Sequence, residues 1–184
     1  MVRGAPFAWR LAACRHWVVR FCESSVMILP RRILHVDDDP EIIALVAEHL
    51  REYGYQTQPI HDPSLVMRRL ARSQERVVLL DIDMPGTDGL RLLQEVKEFD
   101  GAVQVVMLTG LATMTTVLQS LRLGAEACFF KPIVDVEPLV GGLEACFQKI
   151  ERWWATLDDL SRRRNAECRR PAASAGALSA QVEF

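Results

Sequence analysis

A chain of 184 residues with 49% apolar and 25% charged side chains has the makeup of an ordinary globular protein, sized for one domain with appendages. Its formal charge of −2 hides a split, with +3 on residues 1–26, −6 on residues 27–150 and +1 on residues 151–184, and so acidic a body argues against direct DNA binding, because phosphate recognition needs a basic surface. The cysteines (Cys14, Cys22, Cys128, Cys146, Cys168) include no Cys-x-x-Cys pair, and no apolar run nears the ~20 residues of a membrane span, which points to thiols in a reducing cytoplasm rather than a disulfide framework, a zinc site or a transmembrane protein.

Residues 1–26 are a basic and aromatic extension. Arg3, Arg10, Arg15 and Arg20 punctuate Phe7, Trp9, Leu11, Trp17, Val18, Val19 and Phe21, and the arginines interrupt any signal-peptide core. Two readings stand: a basic amphipathic helix on a membrane surface, or a segment without function, with Met27 as the start of translation. From Met27 to about residue 150 the pattern alternates regularly. Residues 33–36 form a short apolar strand that ends in Asp37-Asp38-Asp39. Pro40 opens a helix with Asp39 as its N-cap; Ile42, Ile43, Leu45, Val46 and Leu50 recur at helical spacing, and Gly54 ends it. Residues 56–60 are a strand polar enough for a sheet edge. Asp62 and Pro63 start a second helix through Leu65, Val66, Met67 and Leu70.

Val77, Val78, Leu79 and Leu80 suit a strand buried on both faces. It stops at Asp81, where Pro85, Gly86 and Gly89 force a loop. A third helix is expected over about 90–99, a fourth strand over 103–108 before Thr109-Gly110, a fourth helix over about 113–123, and a fifth strand over 127–130 before Lys131-Pro132. The fifth helix starts near Val136. Its stripe of Leu139, Leu143, Cys146, Ile150, Trp153, Leu157 and Leu160 outruns one domain: helix to Arg164 would be ~40 Å long at ~1.5 Å per residue. Residues 151–170 therefore extend the last helix, available for coiled-coil-like self-association or a partner groove, or else folded back. Gly141-Gly142 weakens that helix yet allows a close approach to the sheet. Residues 171–184 have the composition of a disordered tail.

Five strands alternating with five helices predict a doubly wound α/β fold: a five-stranded parallel sheet of order 2-1-3-4-5, flavodoxin-like, with an extended C-terminal helix. All carboxyl ends then share one edge. Asp37 and Asp38 end strand one, Asp81 strand three, Thr109 strand four and Lys131 strand five. Strands one and three flank the switch point where ligands bind. Three neighbouring carboxylates repel one another unless a cation sits among them, and Mg2+ held by carboxylates, waters and a phosphate answers this. Lys131 adds a second positive charge and Thr109 a hydroxyl donor. The set suits phosphoryl transfer to Asp81, which needs little beyond positioning and charge neutralisation.

Residues 32–150 resemble a response regulator receiver domain of two-component signalling, of the single-domain type. The matching motifs are Ile33-Leu34-His35-Val36-Asp37-Asp38-Asp39-Pro40, Asp81-Ile82-Asp83-Met84-Pro85-Gly86-Thr87-Asp88-Gly89, Met107-Leu108-Thr109-Gly110 and Phe129-Phe130-Lys131-Pro132. The resemblance implies Asp81 as phosphoacceptor, Asp37 and Asp38 as metal acids, the Asp83 backbone carbonyl as a further Mg2+ ligand, Thr109 as switch hydroxyl and Lys131 as phosphate-sensing cation. It implies a phosphohistidine donor on a sensor histidine kinase or phosphotransfer protein, slow self-dephosphorylation rather than enzymatic turnover, and output by protein contact. A downstream target, or a second copy meeting it through the face of helix four, strand five and helix five, would receive that output.

Cys128 stands where the family usually places an aromatic, three residues before the lysine, which puts the aromatic readout in doubt. Asp83 and Leu111 border the path of the hydrolytic water and are expected to tune the acyl-phosphate lifetime. His16, His49 and His61 fit no metal or phosphotransfer pattern, and His35 reads as a strand histidine. Two alternatives differ in class. A degenerate receiver would serve only as a docking module. A haloacid-dehalogenase-type phosphatase also carries Asp-x-Asp after an apolar strand, but on its first strand and with later metal acids, which this chain lacks.

Overall fold

The computed structural model describes residues 31–110 and 113–168, with side chains as far as Asn165. The expectations for residues 1–26, Met27, Leu111 and the tail from 171 lie outside the described residues. The elements are β1 (Arg32–Val36), α1 (Pro40–Glu52), β2 (Gln56–Ile60), a 3-10 turn (Pro63–Leu65) running into α2 (Val66–Arg72), β3 (Val77–Leu80), α3 (Gly89–Phe99), β4 (Gln104–Thr109), α4 (Met114–Arg122), β5 (Ala127–Phe130) and α5 (Glu137–Cys168). The five strands form one parallel sheet in the order β2-β1-β3-β4-β5, as the alternation predicts.

Burial explains the order. Every residue of β3 and β4 is buried, as strands covered on both faces require. The polar β2 and the half-buried β5 take the edges, and Pro59, which cannot donate to a ladder, sits on the edge strand. On one face, Ile33, Leu79, Val106 and Leu108 pack with Val46 and Leu50 of α1 and Leu139, Leu143 and Ile150 of α5. On the other, Leu34, Val78, Leu80, Val105 and Met107 pack with Val66 and Leu70 of α2 and Leu92, Leu93 and Val96 of α3.

Side chains alternate along a strand, so Ile33, His35 and Asp37 form one column on the α1/α5 face. Val77, Leu79 and Asp81 form the next, and Ala127, Phe129 and Lys131 another. Thr109 has the opposite parity, with Val105 and Met107. The stop after β3 is more ordered than a plain loop: Asp83–Met84 pairs antiparallel with Thr87–Asp88 in a two-residue ribbon, turned by Gly86 at φ 74°, a backbone state that favours glycine. Helix α5 runs unbroken past its seat on the sheet. Leu139, Leu143, Cys146 and Ile150 are buried, whereas Trp153, Leu157 and Leu160 are exposed. Among the described residues no helix is long and apolar enough to cross a membrane.

Candidate phosphoryl-acceptor site

The site is assembled from strand ends and the caps that follow them. Beyond β1, Asp39 caps α1 by accepting the N–H groups of Glu41 at 2.8 Å and Ile42 at 3.4 Å. Asp37 turns the other way, its Oδ1 accepting the Asp39 N–H at 3.0 Å. Beyond β3, Asp81 Oδ1 accepts the N–H of Ile82 at 2.7 Å and of Asp83 at 3.4 Å. Asp88 then caps α3 through the Leu90 N–H. The start of α3 sits so close beneath the loop after β3 that a Cβ on Gly89 would lie 2.2 Å from the Asp81 carbonyl oxygen and 2.6 Å from Ile82 Cα. Only glycine fits there.

Lys131, from the far edge of the sheet, closes the site. Its Nζ donates to Asp37 Oδ2 at 2.7 Å and Asp81 Oδ2 at 2.8 Å. One ammonium thus ties the ends of β1, β3 and β5 together. Burial works to lower the Lys131 pKa, but the two carboxylates outweigh it and the net shift is upward. Asp37, almost wholly buried, is shifted up: desolvation prevails over the hydrogen bonds from Lys131 and the Asp39 N–H.

Asp37, Asp38 and Asp81 each present a carboxylate oxygen, all within 4.8 Å of one another, and only Asp38 is exposed. All-oxygen donors with one face open to solvent fit a hard divalent cation such as Mg2+. Asp83 is exposed at the rim, in the ribbon. Thr109 is buried at the end of β4, and its carbonyl accepts the Lys131 N–H at 2.9 Å. The Lys131–Pro132 peptide is cis. Cys128 is half-buried against the α2/α3 side of the core, and burial raises its thiol pKa.

Two features of the site escaped the sequence. Phe130, in register with Thr109, is an exposed aromatic beside the half-buried Cys128. His35 is the strand histidine expected, in β1, but its setting was not foreseen. It is fully buried directly below Asp37, with neither ring nitrogen hydrogen-bonded to any described residue. The apolar neighbours Leu34 and Val36 were the available signal, since a strand buried on both faces must bury whatever stands between them.

Residues 33–143 match the family model of the response regulator receiver domain. The chain is 30% identical over 112 residues to sporulation initiation phosphotransferase F of Bacillus subtilis, a match covering 61% of this chain and 90% of that protein. It is 31% identical over 123 residues to the DNA-binding dual master transcriptional regulator RpaA of Synechocystis, covering 66% of this chain but only 51% of that one. Among solved structures, a CheY-like response regulator receiver domain protein from Methanospirillum hungatei superposes with a TM-score of 0.62 at 26% identity, covering 67% of this chain and 98% of its own. The chain belongs to the response regulator receiver domain family. Its carboxylate cluster and bridging lysine lie together at the carboxyl edge of that sheet.

Proposed function

We propose that this chain is a phosphorylation-activated switch of a two-component phosphorelay, with Asp81 as the acceptor. The observation that carries the reading is the Lys131 ammonium bridging Asp37 and Asp81 beside an all-oxygen cluster. The donor is a phosphohistidine on a sensor kinase or phosphotransfer protein. A carboxylate oxygen of Asp81 attacks phosphorus, the P–N bond breaks with its electron pair returning to the imidazole nitrogen, and an acyl phosphate remains. Asp37, Asp38, Asp81 and the Asp83 backbone carbonyl would hold Mg2+, which when bound neutralises charge on the phosphoryl oxygens. Lys131 follows the charge: its ammonium leaves both the Asp37 and the Asp81 carboxylates for a phosphoryl oxygen. The Thr109 hydroxyl donates to another.

Phosphorylation adds about −1.5 to −2 charge. Movement of Thr109 and Lys131 biases the face made by α4, β5 and α5, where Met114, Leu118, Leu121, Phe130 and Val134 are exposed. A downstream protein or a second copy of the chain binds there, with the exposed stripe of α5 continuing the surface. The chain works in the cytoplasm as an acceptor that loses its phosphoryl group by slow hydrolysis; it is not an enzyme acting on a separate substrate.

Intact mass after incubation with acetyl phosphate and Mg2+ tests the reading. The wild type gains one phosphoryl group and Asp81→Asn gains none. A folded, Mg2+-binding wild type that stays unmodified with both acetyl phosphate and a panel of phosphohistidine donors favours the docking-module reading instead.

A further inference from the structure

The mechanism above leaves one buried polar group unused. His35 lies on β1 between Pro59 of β2 and Leu79 of β3, fully buried, and neither Nδ1 nor Nε2 has a hydrogen-bond partner among the described residues. An orphaned buried donor is destabilising, so a hydrophobic residue would serve the core better if filling space were the only task. The ring is aimed. Nε2 lies 3.9 Å from Asp37 Oδ2, the same oxygen that Lys131 holds at 2.7 Å. An imidazole has an N–H to give in either charge state, and the facing carboxylate favours a proton on Nε2.

The gap decides what the proton is for. At 3.9 Å there is no hydrogen bond; one requires an approach of roughly 1 Å, to about 2.9 Å. Nothing favours that approach while the ammonium occupies Oδ2. Once Lys131 turns to a phosphoryl oxygen, Asp37 Oδ2 is a buried carboxylate oxygen that has lost its donor, and a rotation of the carboxylate brings it to His35. We infer that His35 is a positioning residue of the phosphorylated state: its Nε2–H takes over Asp37 Oδ2 when Lys131 leaves, and so keeps the metal acid oriented. Hydrogen-bonded supports behind ligating carboxylates are worth about 10–100-fold in affinity. This rests on the receiver reading above.

Beryllofluoride, which mimics a phosphoryl group on a carboxylate, separates the two states. Mg2+ affinity is read by calorimetry without it, and beryllofluoride affinity by 19F NMR at saturating Mg2+. In His35→Leu, beryllofluoride binding weakens about tenfold, while Mg2+ binding alone changes less than twofold, because Lys131 still holds Asp37 there. His35→Gln, which places an N–H near Nε2, stays within about threefold of wild type on both readouts. In the wild type, the 15N-labelled His35 ring gains a slowly exchanging, downfield Nε2–H on beryllofluoride addition, which needs no variant to fold. Equal beryllofluoride affinity in wild type and His35→Leu overturns the inference and leaves the receiver reading intact. So does equal weakening in the Leu and Gln variants, or a ring spectrum that does not change. A folded wild type that binds Mg2+ but no beryllofluoride overturns both.

Discussion

Helices α3 and α4 are neighbours of similar length on the same side of the sheet, and they are seated differently. α3 buries Gly89, Leu92, Leu93 and Val96 and begins against the backbone of Asp81 and Ile82. α4 buries only Ser120 and leaves Met114, Leu118 and Leu121 in solvent. Its Thr113 cap and the Ser120 hydroxyl on the Thr116 carbonyl hold the helix to itself rather than to the sheet. Elements with few buried apolar contacts open and shift at low cost. The comparison separates the part of the domain that must stay still, because Asp81 is built on it, from the part that a change of charge at the strand ends can move.

The largest effect should come from breaking the stationary helix. Gly89→Ala sets a Cβ against the Asp81 carbonyl oxygen at 2.2 Å, and backbone cannot yield as a side chain does. We expect a loss of about 3 kcal/mol in denaturant unfolding, the upper end of what overpacking costs, and no phosphoryl uptake from acetyl phosphate even in the folded fraction. A Gly89→Ala protein with wild-type stability and uptake would show that α3 is as loosely seated as α4.

Helix α5 has both characters, and two adjacent glycines tell them apart. A Cβ on Gly142 would meet the Phe129 ring at 2.8 Å, while one on Gly141 meets nothing within 4 Å. Alanine at either position gains about 0.5–1 kcal/mol of helix propensity. At Gly142 the clash with a packed aromatic outweighs that gain, for a net loss of about 1–2 kcal/mol. Gly141→Ala should raise thermal stability by the propensity term alone. Opposite signs from neighbouring positions locate the face on which α5 touches the sheet.

These contrasts mark the limit of what could be read from the sequence. β3 was legible because Val77, Val78, Leu79 and Leu80 admit little but a doubly buried strand, and α1 because Asp39 and Pro40 are a cap and a first turn. With those fixed, parallel topology alone gathered the strand-end residues Asp37, Asp38, Asp81 and Lys131 at one edge. The ribbon at Asp83–Met84 and Thr87–Asp88 was not legible, since two-residue pairings have no period and Pro85-Gly86 signals only a turn. The stripe of α5 was legible, but the helix turns by about 100° per residue, and Trp154 rather than Trp153 is the tryptophan packed against the core. The poor seating of α4 could not be read either. Val117, Leu118 and Leu121 have the spacing of a buried face, and only the position of the helix over the sheet shows that Leu118 and Leu121 look outward.

That outward face gives the smallest effect on stability and the most direct test of the comparison. Leu118→Glu with Leu121→Glu replaces exposed apolar groups, at 44% and 52% exposure, and should change unfolding free energy by no more than about 0.5 kcal/mol, as surface substitutions do. Phosphoryl uptake at Asp81 should be unchanged, because α4 contributes no group to the carboxylate cluster. What should fall is self-association of the phosphorylated chain, read by sedimentation velocity with acetyl phosphate and Mg2+. The unphosphorylated chain should sediment alike with or without the substitutions. If the double variant loses more than about 2 kcal/mol, the leucines pack inward in solution and α4 is as firmly held as α3. If it keeps both stability and phosphorylation-dependent association, α4 is mobile but the contact surface lies elsewhere, and the exposed Trp153, Leu157 and Leu160 stripe of α5 becomes the surface to substitute next.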